Sequence, residues 1–327
     1  MRVLVTGAAG LLGRHIVSVL LEKGHFPVAL VRETTNLETL EGLPITFAYG
    51  TLEDKESLAL ALNDCEAVIH AASIHSHPSN DYAVFDQINI IGTENLVELS
   101  LKYGIKKFIY VGTAGTIAPG SKDNPGVELD DFDSFHLGSS YVNSKFIAEQ
   151  YILEQVEYQE LDALIISPTF MIGPYDSKPS SGRMIHFWAR SNIVAVPPGG
   201  KNFVDVKDVA EVCVKALHSP LKGEKLLVTG ENLTYQEFFE ILNDLTSIKK
   251  RLVPIPKIIF YAAAGITQFF KGKKAEFNLT NAKLLGRDNY YEGQRALEVF
   301  DYQRSPVKEA AKQALDWFIE NNKLKVK

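Results

Sequence analysis

Tyr141 and Lys145 stand four residues apart in the run YVNSK, inside a stretch whose pattern predicts a helix over 141–157. At that spacing both side chains leave one helix face and can converge on one point. A phenol can give a proton to an oxygen on a reacting carbon, or take one from it. With an ordinary pKa of ~10, however, it is a poor base near neutrality. Bringing it to about 7 takes roughly 4 kcal/mol of preference for the phenolate, and a lysine ammonium one turn away is suited to supply it. Tyr-x-x-x-Lys arises often by chance, so its meaning depends on the elements that place it.

A second cluster opens the chain, MRVLVTGAAGLLG. The apolar run Val3 to Val5 predicts a short buried strand, and Gly7, Gly10 and Gly13 lead into a helical pattern through Ile16, Val17, Leu20 and Leu21. In a dinucleotide-binding unit one glycine permits the tight turn, one lets backbone approach a pyrophosphate, and one lets helix and strand pack closely. The helix N-terminus adds free N–H groups and the positive end of the dipole. With Thr6 in front the motif reads TGxxGxxG, and KFIYVGTAGT precedes the Tyr/Lys pair. On these motifs the chain resembles the extended short-chain dehydrogenase/reductase family, within the NAD-dependent epimerase/dehydratase superfamily. SPTFMIGPYDSKPSSGR at 167–183 and FVDVKDVAE at 203–211 make it similar to the dihydroflavonol-reductase-like members. The similarity covers most of the chain and weakens past about residue 230.

The resemblance implies roles residue by residue. Gly7, Ala9, Gly10, Leu11, Leu12 and Gly13 would surround the pyrophosphate, and Ala71, Ala72 and Ser73 would lie against the ribose, with Asn89 on the helix behind. Thr51 and Leu52 would stand near the adenine, where the family commonly has Asp-Leu or Asp-Ile. Pro168, Phe170 and Met171 would meet the nicotinamide carboxamide, and Tyr141 and Lys145 the nicotinamide end. Aligning TSSAGT with 111–116 gives Thr113 the place of the residue that holds the substrate oxygen, usually Ser, with Thr116 as a second candidate. Asp205 and Asp208 would be structural, starting a helix and pinning a loop.

Arg32 lies about twenty residues past the last glycine, where an NAD enzyme carries an acidic residue for the ribose 2′-hydroxyl. A guanidinium there suits a 2′-phosphate. The expected cofactor is NADP(H) ahead of NAD, with Glu33 beside Arg32 as the feature against it.

Alternation of strand-like and helical runs from 1 to about 167 predicts an α/β, Rossmann-type, doubly wound parallel sheet with helices on both faces. The remainder predicts a smaller, mainly helical, C-terminal substrate-binding part. The expected division is 1–168 with 203–229 for the dinucleotide, and 169–202 with 230–327 for the substrate. VDVKDVAEVCVKAL predicts a helix, and Ser305 with Pro306 predicts the start of the last one. Region 112–140 is too long to be a simple connection, and loops of that length are usually functional or disordered.

A chain of 327 residues, 46% hydrophobic and 23% charged, has ample material for a core. A net charge of −6 carries no footprint for nucleic acid. Cys65 and Cys213, far apart and without paired spacing, read as reduced core residues of a cytoplasmic protein, and no signal peptide is expected. The apolar stretch 255–270 is too interrupted to span a membrane and predicts an amphipathic helix packed on the C-terminal part. Surface-membrane contact helped by KGKK at 271–274 is the alternative. No metal set is expected among the eight histidines, although His75 or His77, in the loop after the fourth strand, could touch substrate.

The expected activity is reduction of an aldehyde or ketone on a small or medium-sized substrate, with Tyr141 as proton donor. The alternatives are a redox-neutral nucleotide-sugar epimerase or dehydratase using the same pair, and a non-catalytic NADP-binding sensor. Segment 169–202 holds only Lys178, Arg183, Arg190 and Lys201 as cations against Phe170, Met171, Ile172, Tyr175, Met184, Ile185, Phe187, Trp188, Ile193 and Val194. That balance favours an uncharged or lightly charged aldehyde or ketone. A homodimer is left open.

Overall fold

In a computed structural model, residues 1–77, 81–129, 131–271 and 277–324 are described. The chain opens with β1 (Arg2–Thr6), α1 (Leu11–Glu22), β2 (Phe26–Val31), β3 (Thr46–Tyr49), α2 (Lys55–Leu62) and β4 (Ala67–His70). Next, α3 (Tyr82–Phe85) runs through a π-helical stretch, Asp86–Ile91, into α4 (Gly92–Lys102). Then come β5 (Lys107–Val111), α5 (Ser140–Tyr158) and β6 (Ala163–Pro168). β4, β5 and β6 are buried along their whole length, as strands covered on both faces must be, which explains their continuous apolar runs.

The second half contains β7 (Phe170–Ile172), α6 (Arg183–Ala189), β8 (Ile193–Val196), β9 (Gly200–Asp205), α7 (Val206–Ala216) and β10 (Lys225–Val228). It continues with β11 (Glu231–Thr234), α8 (Tyr235–Asp244), β12 (Arg251–Pro254), α9 (Lys257–Lys271) and α10 (Leu279–Leu285). It ends with β13 (Asp288–Asn289), α11 (Gln294–Phe300) and α12 (Val307–Glu320).

Seven strands form one parallel sheet in the order β10-β6-β5-β4-β1-β2-β3. Strand order reverses between β1 and β4, which opens a crevice at their carboxyl ends. On one face Ile16, Val17 and Leu20 of α1 pack with Val209, Val212 and Cys213 of α7. On the other, Leu58, Leu96, Ala148 and Ile152 of α2, α4 and α5 cover Leu4, Val68 and Phe108.

The C-terminal part is richer in strands than its sequence suggests. β9 pairs with β11, β13 and β7, and β12 pairs with β8. These strands are two to six residues long, too short to set up a readable alternation. Two boundaries differ from expectation. Residues 204–205 finish β9 instead of starting a helix, and the Asp205 carboxylate caps α7 by accepting from the Lys207 N–H at 2.8 Å. Ser305 does not cap the last helix. Its N–H and hydroxyl both donate to Asp208 at 2.7 Å, so Asp208 pins the incoming loop, and Pro306 occupies the cap position.

Region 112–140 is tied down by the C-terminal part. The Tyr290 carbonyl accepts from the N–H groups of Gly120 and Gly126 at 3.0 Å each, and Lys122 pairs with Glu237 at 2.7 Å.

Candidate active site

A cleft of about 1210 Å³ opens over the large sheet, lined by Thr6, Val31, Val111 and Pro168, the last residues of β1, β2, β5 and β6. Gly7 turns the chain with φ +71°, and a Cβ there would meet the Ala72 nitrogen at 2.8 Å. A Cβ on Gly13 would stand 2.0 Å from the Gly7 carbonyl oxygen, so only glycine lets α1 pack this closely on its own turn. α1 begins after Gly10 with no side-chain cap, leaving its first N–H groups unclaimed beside the cleft. A cradle that admits no side chain, closed by uncapped donors, fits a dinucleotide pyrophosphate.

Gly7, Ala9, Gly10, Leu11, Leu12, Gly13, Arg32, Thr51, Leu52, Ala71, Ala72, Ser73, Thr113, Tyr141, Pro168, Phe170 and Met171 all line this cleft. Arg32, exposed just past the end of β2, stands with Thr35 and Asn36, and its backbone N–H donates to Thr35 Oγ1 at 3.1 Å. Thr35 and Asn36 had no motif to announce them.

Asn89 and Lys145 stand behind the cleft wall. The Asn89 amide donates to the Ile74 carbonyl at 3.0 Å and to Ser144 Oγ at 2.9 Å, and its oxygen accepts from the Ile74 N–H at 2.8 Å. Asn89 therefore clamps the loop after β4 to the helix that carries Tyr141. It does so from the π-helical stretch, a local widening often found at functional sites. One turn further on, Thr93 donates to the Asn89 carbonyl at 2.7 Å, so its oxygen accepts from His70 Nε2 at 2.9 Å. His70 Nδ1 then accepts from the Thr6 hydroxyl at 2.6 Å, and Thr6 Oγ1 accepts from the Ala72 N–H at 3.1 Å. Burial, with Lys145 nearby, pushes the His70 pKa down to about 3, so this relay holds a neutral imidazole.

On α5, Tyr141, Lys145 and Glu149 follow one another at helical spacing. Tyr141 and Thr113, which lies past the end of β5, line the cleft together, and Thr113 Oγ1 accepts from the Gly115 N–H at 3.2 Å. Thr116, the second candidate, is turned away and donates to Glu149 Oε1 at 3.0 Å. Lys145 donates to the Val111 carbonyl at 2.6 Å, with its ammonium 3.9 Å from the centre of the Tyr110 ring. Burial lowers the Lys145 pKa to about 7, against the pull of Glu149. The Tyr141 pKa is not lowered as the pairing alone suggests. Burial, with the Glu149 charge behind it, raises it to about 12 despite the polar Thr113 beside it. The site as folded therefore keeps the phenol protonated.

The far end of the cleft corrects the expectation of an apolar pocket. Of the apolar residues of 169–202, Phe170 and Met171 reach the lining, while Ile172, Ile185, Trp188 and Val194 are buried in the separate core under α8 and α12. Tyr175 and Met184 pack against that same core. Lys178 and Lys201 line the cleft, joined by Arg287, a cation outside that segment. Lys201 lies over the Phe170 ring, and burial with Arg287 nearby lowers its pKa to about 8. Arg287 is held by Asn289 Oδ1 at 3.0 Å and donates to Ser134 Oγ at 2.9 Å. His75 lines the cleft and His77 does not. No group of metal-binding side chains is found among the described residues.

The model of the NAD dependent epimerase/dehydratase family matches residues 3–229. Sterol demethylase protein B of Methylococcus capsulatus is 29% identical across 98% of this chain and 99% of its own. A Synechocystis sp. protein provisionally named dihydroflavonol 4-reductase is 27% identical over 96% and 93%. Among solved structures, gox2253 superposes with a TM-score of 0.88 at 28% identity, covering 99% of both chains.

Proposed function

For this chain, which belongs to the NAD dependent epimerase/dehydratase family and is an extended short-chain dehydrogenase/reductase, we propose an NADP-dependent reduction of an aldehyde or ketone on a small or medium-sized substrate. The observation that carries the choice is Arg32, which lines the cleft just past β2 where an NAD enzyme carries an acidic residue, while the acidic Glu53 lines it past the neighbouring β3. A contact to the 2′-phosphate selects the cofactor pool used for net reduction, whereas a cycle that returns its own hydride gains nothing from that selection. When bound, the dinucleotide supplies the hydride. Gly7, Gly10 and Gly13 with the α1 N-terminus would hold its pyrophosphate. Thr113 positions the substrate oxygen, and Tyr141, kept protonated by burial, gives that oxygen its proton. Lys145 anchors α5 to β5 behind the phenol. The finding that its relatives include a reductase-named protein supports the same reading.

Lys201 and Arg287 favour a second reading, because two cations at the substrate end suit an anionic group such as the diphosphate of a nucleotide sugar. The test is a panel of aldehydes, ketones and nucleotide sugars, scored by NADPH absorbance and product analysis. The reductase reading expects stoichiometric NADPH loss with an alcohol product. Conversion of a nucleotide sugar with no net NADPH change establishes the epimerase or dehydratase instead.

A further inference from the structure

Helix α9 turns a stripe of large apolar side chains toward solvent. Its inner side, Phe260 and Ala264, is buried against Ala282 of α10, with Phe277 and Leu279 packed alongside. Its outer side presents Ile258, Ile259, Ile266, Phe269 and Phe270, with Ile258 at 84% and Phe269 at 83% exposure. Spacings of three, four, seven and eight residues put these on one continuous face.

Charge separates this region from the rest of the molecule. The protein carries a net charge of −6, yet no acidic residue occurs between Asp244 and Glu276, while Lys249, Lys250, Arg251, Lys257, Lys271, Lys273 and Lys274 do. Lys250 folds over the Trp188 ring, but Lys249, Arg251 and Lys257 are exposed. Residues 272–276, which include most of the KGKK run, lie outside the described residues, so among the described residues Lys257 is the exposed cation at the start of α9, with Arg251 on β12 and Lys249, paired with Asp244 at 3.2 Å, preceding it in the chain. No helix among the described residues is long and apolar enough to cross a membrane. An apolar stripe bordered by cations in an acidic protein is complementary to the plane of an anionic bilayer. α10, packed beneath α9, also lends Asn281 and Leu284 to the lining of the cleft.

We propose that α9 docks in the interface of an anionic phospholipid membrane, with Ile258, Ile259, Ile266, Phe269 and Phe270 among the acyl chains and Arg251 and Lys257 at the headgroups. The docked helix would bring one wall of the cleft to the bilayer. This goes beyond the reductase reading and does not depend on it.

The experiment is co-sedimentation of the full-length protein with vesicles of phosphatidylcholine alone, or of equal parts phosphatidylcholine and phosphatidylglycerol. Wild type is compared with Ile266→Ser/Phe269→Ser/Phe270→Ser and with Arg251→Ser/Lys257→Ser, each checked for an unchanged thermal melt. Wild type should bind the anionic vesicles, more weakly in high salt, and each variant should lose about tenfold or more in affinity. Phe269→Trp supplies a readout free of any loss-of-fold question, since its emission should shift to the blue on anionic vesicles. Absence of wild-type binding, equal binding by the triple variant, or an unmoved Trp emission would overturn the proposal. So would a wild-type dimer that the triple substitution dissolves, which would assign the face to a second copy of the chain.

Discussion

The carboxylate of Glu149, fully buried two turns along α5 from Tyr141, lies 3.0 Å from the ammonium of Lys225 on β10. Thr116 occupies its other oxygen at 3.0 Å, so the pair ties α5 to the edge strand beneath Tyr141. Breaking such a pair leaves one charge buried alone, at about 3–5 kcal/mol, whereas replacing both charges is much cheaper. Lys225→Met should lose that much stability in urea titration, and Glu149→Gln/Lys225→Met should recover most of it. Losses in Lys225→Met and Glu149→Gln that simply add in the double variant would show that the charges do not interact.

Cofactor choice rests on Arg32. Removing a charged phosphate contact costs on the order of 1.5–3 kcal/mol, about tenfold to a hundredfold in affinity. Titrated with both cofactors, wild type should prefer NADPH, and Arg32→Ala should bring the two affinities together by weakening NADPH alone. An NADPH to NADH ratio that the substitution leaves unchanged removes Arg32 from the account.

His70 predicts a loss of stability in acid. Its folded pKa of about 3 lies below the ordinary value of 6.5, so between the two the unfolded chain binds a proton that the native state refuses. Stability is therefore highest above 6.5 and falls as the pH drops toward 3, by up to about 1.4 kcal/mol per pH unit. His15, pushed down to about 4, acts in the same direction, while Asp205, raised to about 6, opposes them between 3.8 and 6. Comparing His70→Gln with wild type cancels the other two. Urea midpoints between pH 5 and 6 should fall less steeply in the variant, and identical slopes would contradict the buried neutral imidazole.

What the sequence makes legible is whatever repeats at a fixed spacing. The strand, glycine turn and helix at 1–23, and the i, i+4 pair at Tyr141, are local patterns, and both lie where they were expected. The parallel sheet follows from long apolar runs that alternate with amphipathic helices. Relationships across the chain leave no such trace. Arg287 reaches the cleft from 146 positions beyond Tyr141 because β13 pairs with β9, and no periodicity in a two-residue strand announces that. The apolar residues of 169–202 look alike in sequence whether they line a pocket or fill a core, and most of them fill the core around Trp188. Asn89 was visible as a helix-face amide, but its clamp on Ile74 and Ser144 depends on the π-helical widening around it.

The central claim is that Tyr141 delivers the proton in a reduction, and Tyr141→Phe tests it most directly. Phenylalanine keeps the ring and its packing and removes only the hydroxyl of a residue that lines the cleft. Single-turnover rates with a substrate identified from the panel, measured beside NADPH affinity, should show turnover reduced about a hundredfold or more, the low end of the contribution of a positioned acid. NADPH affinity should stay within a few-fold of wild type. Turnover near the wild-type rate would contradict the account and leave the cleft as a dinucleotide site without Tyr141 in its chemistry.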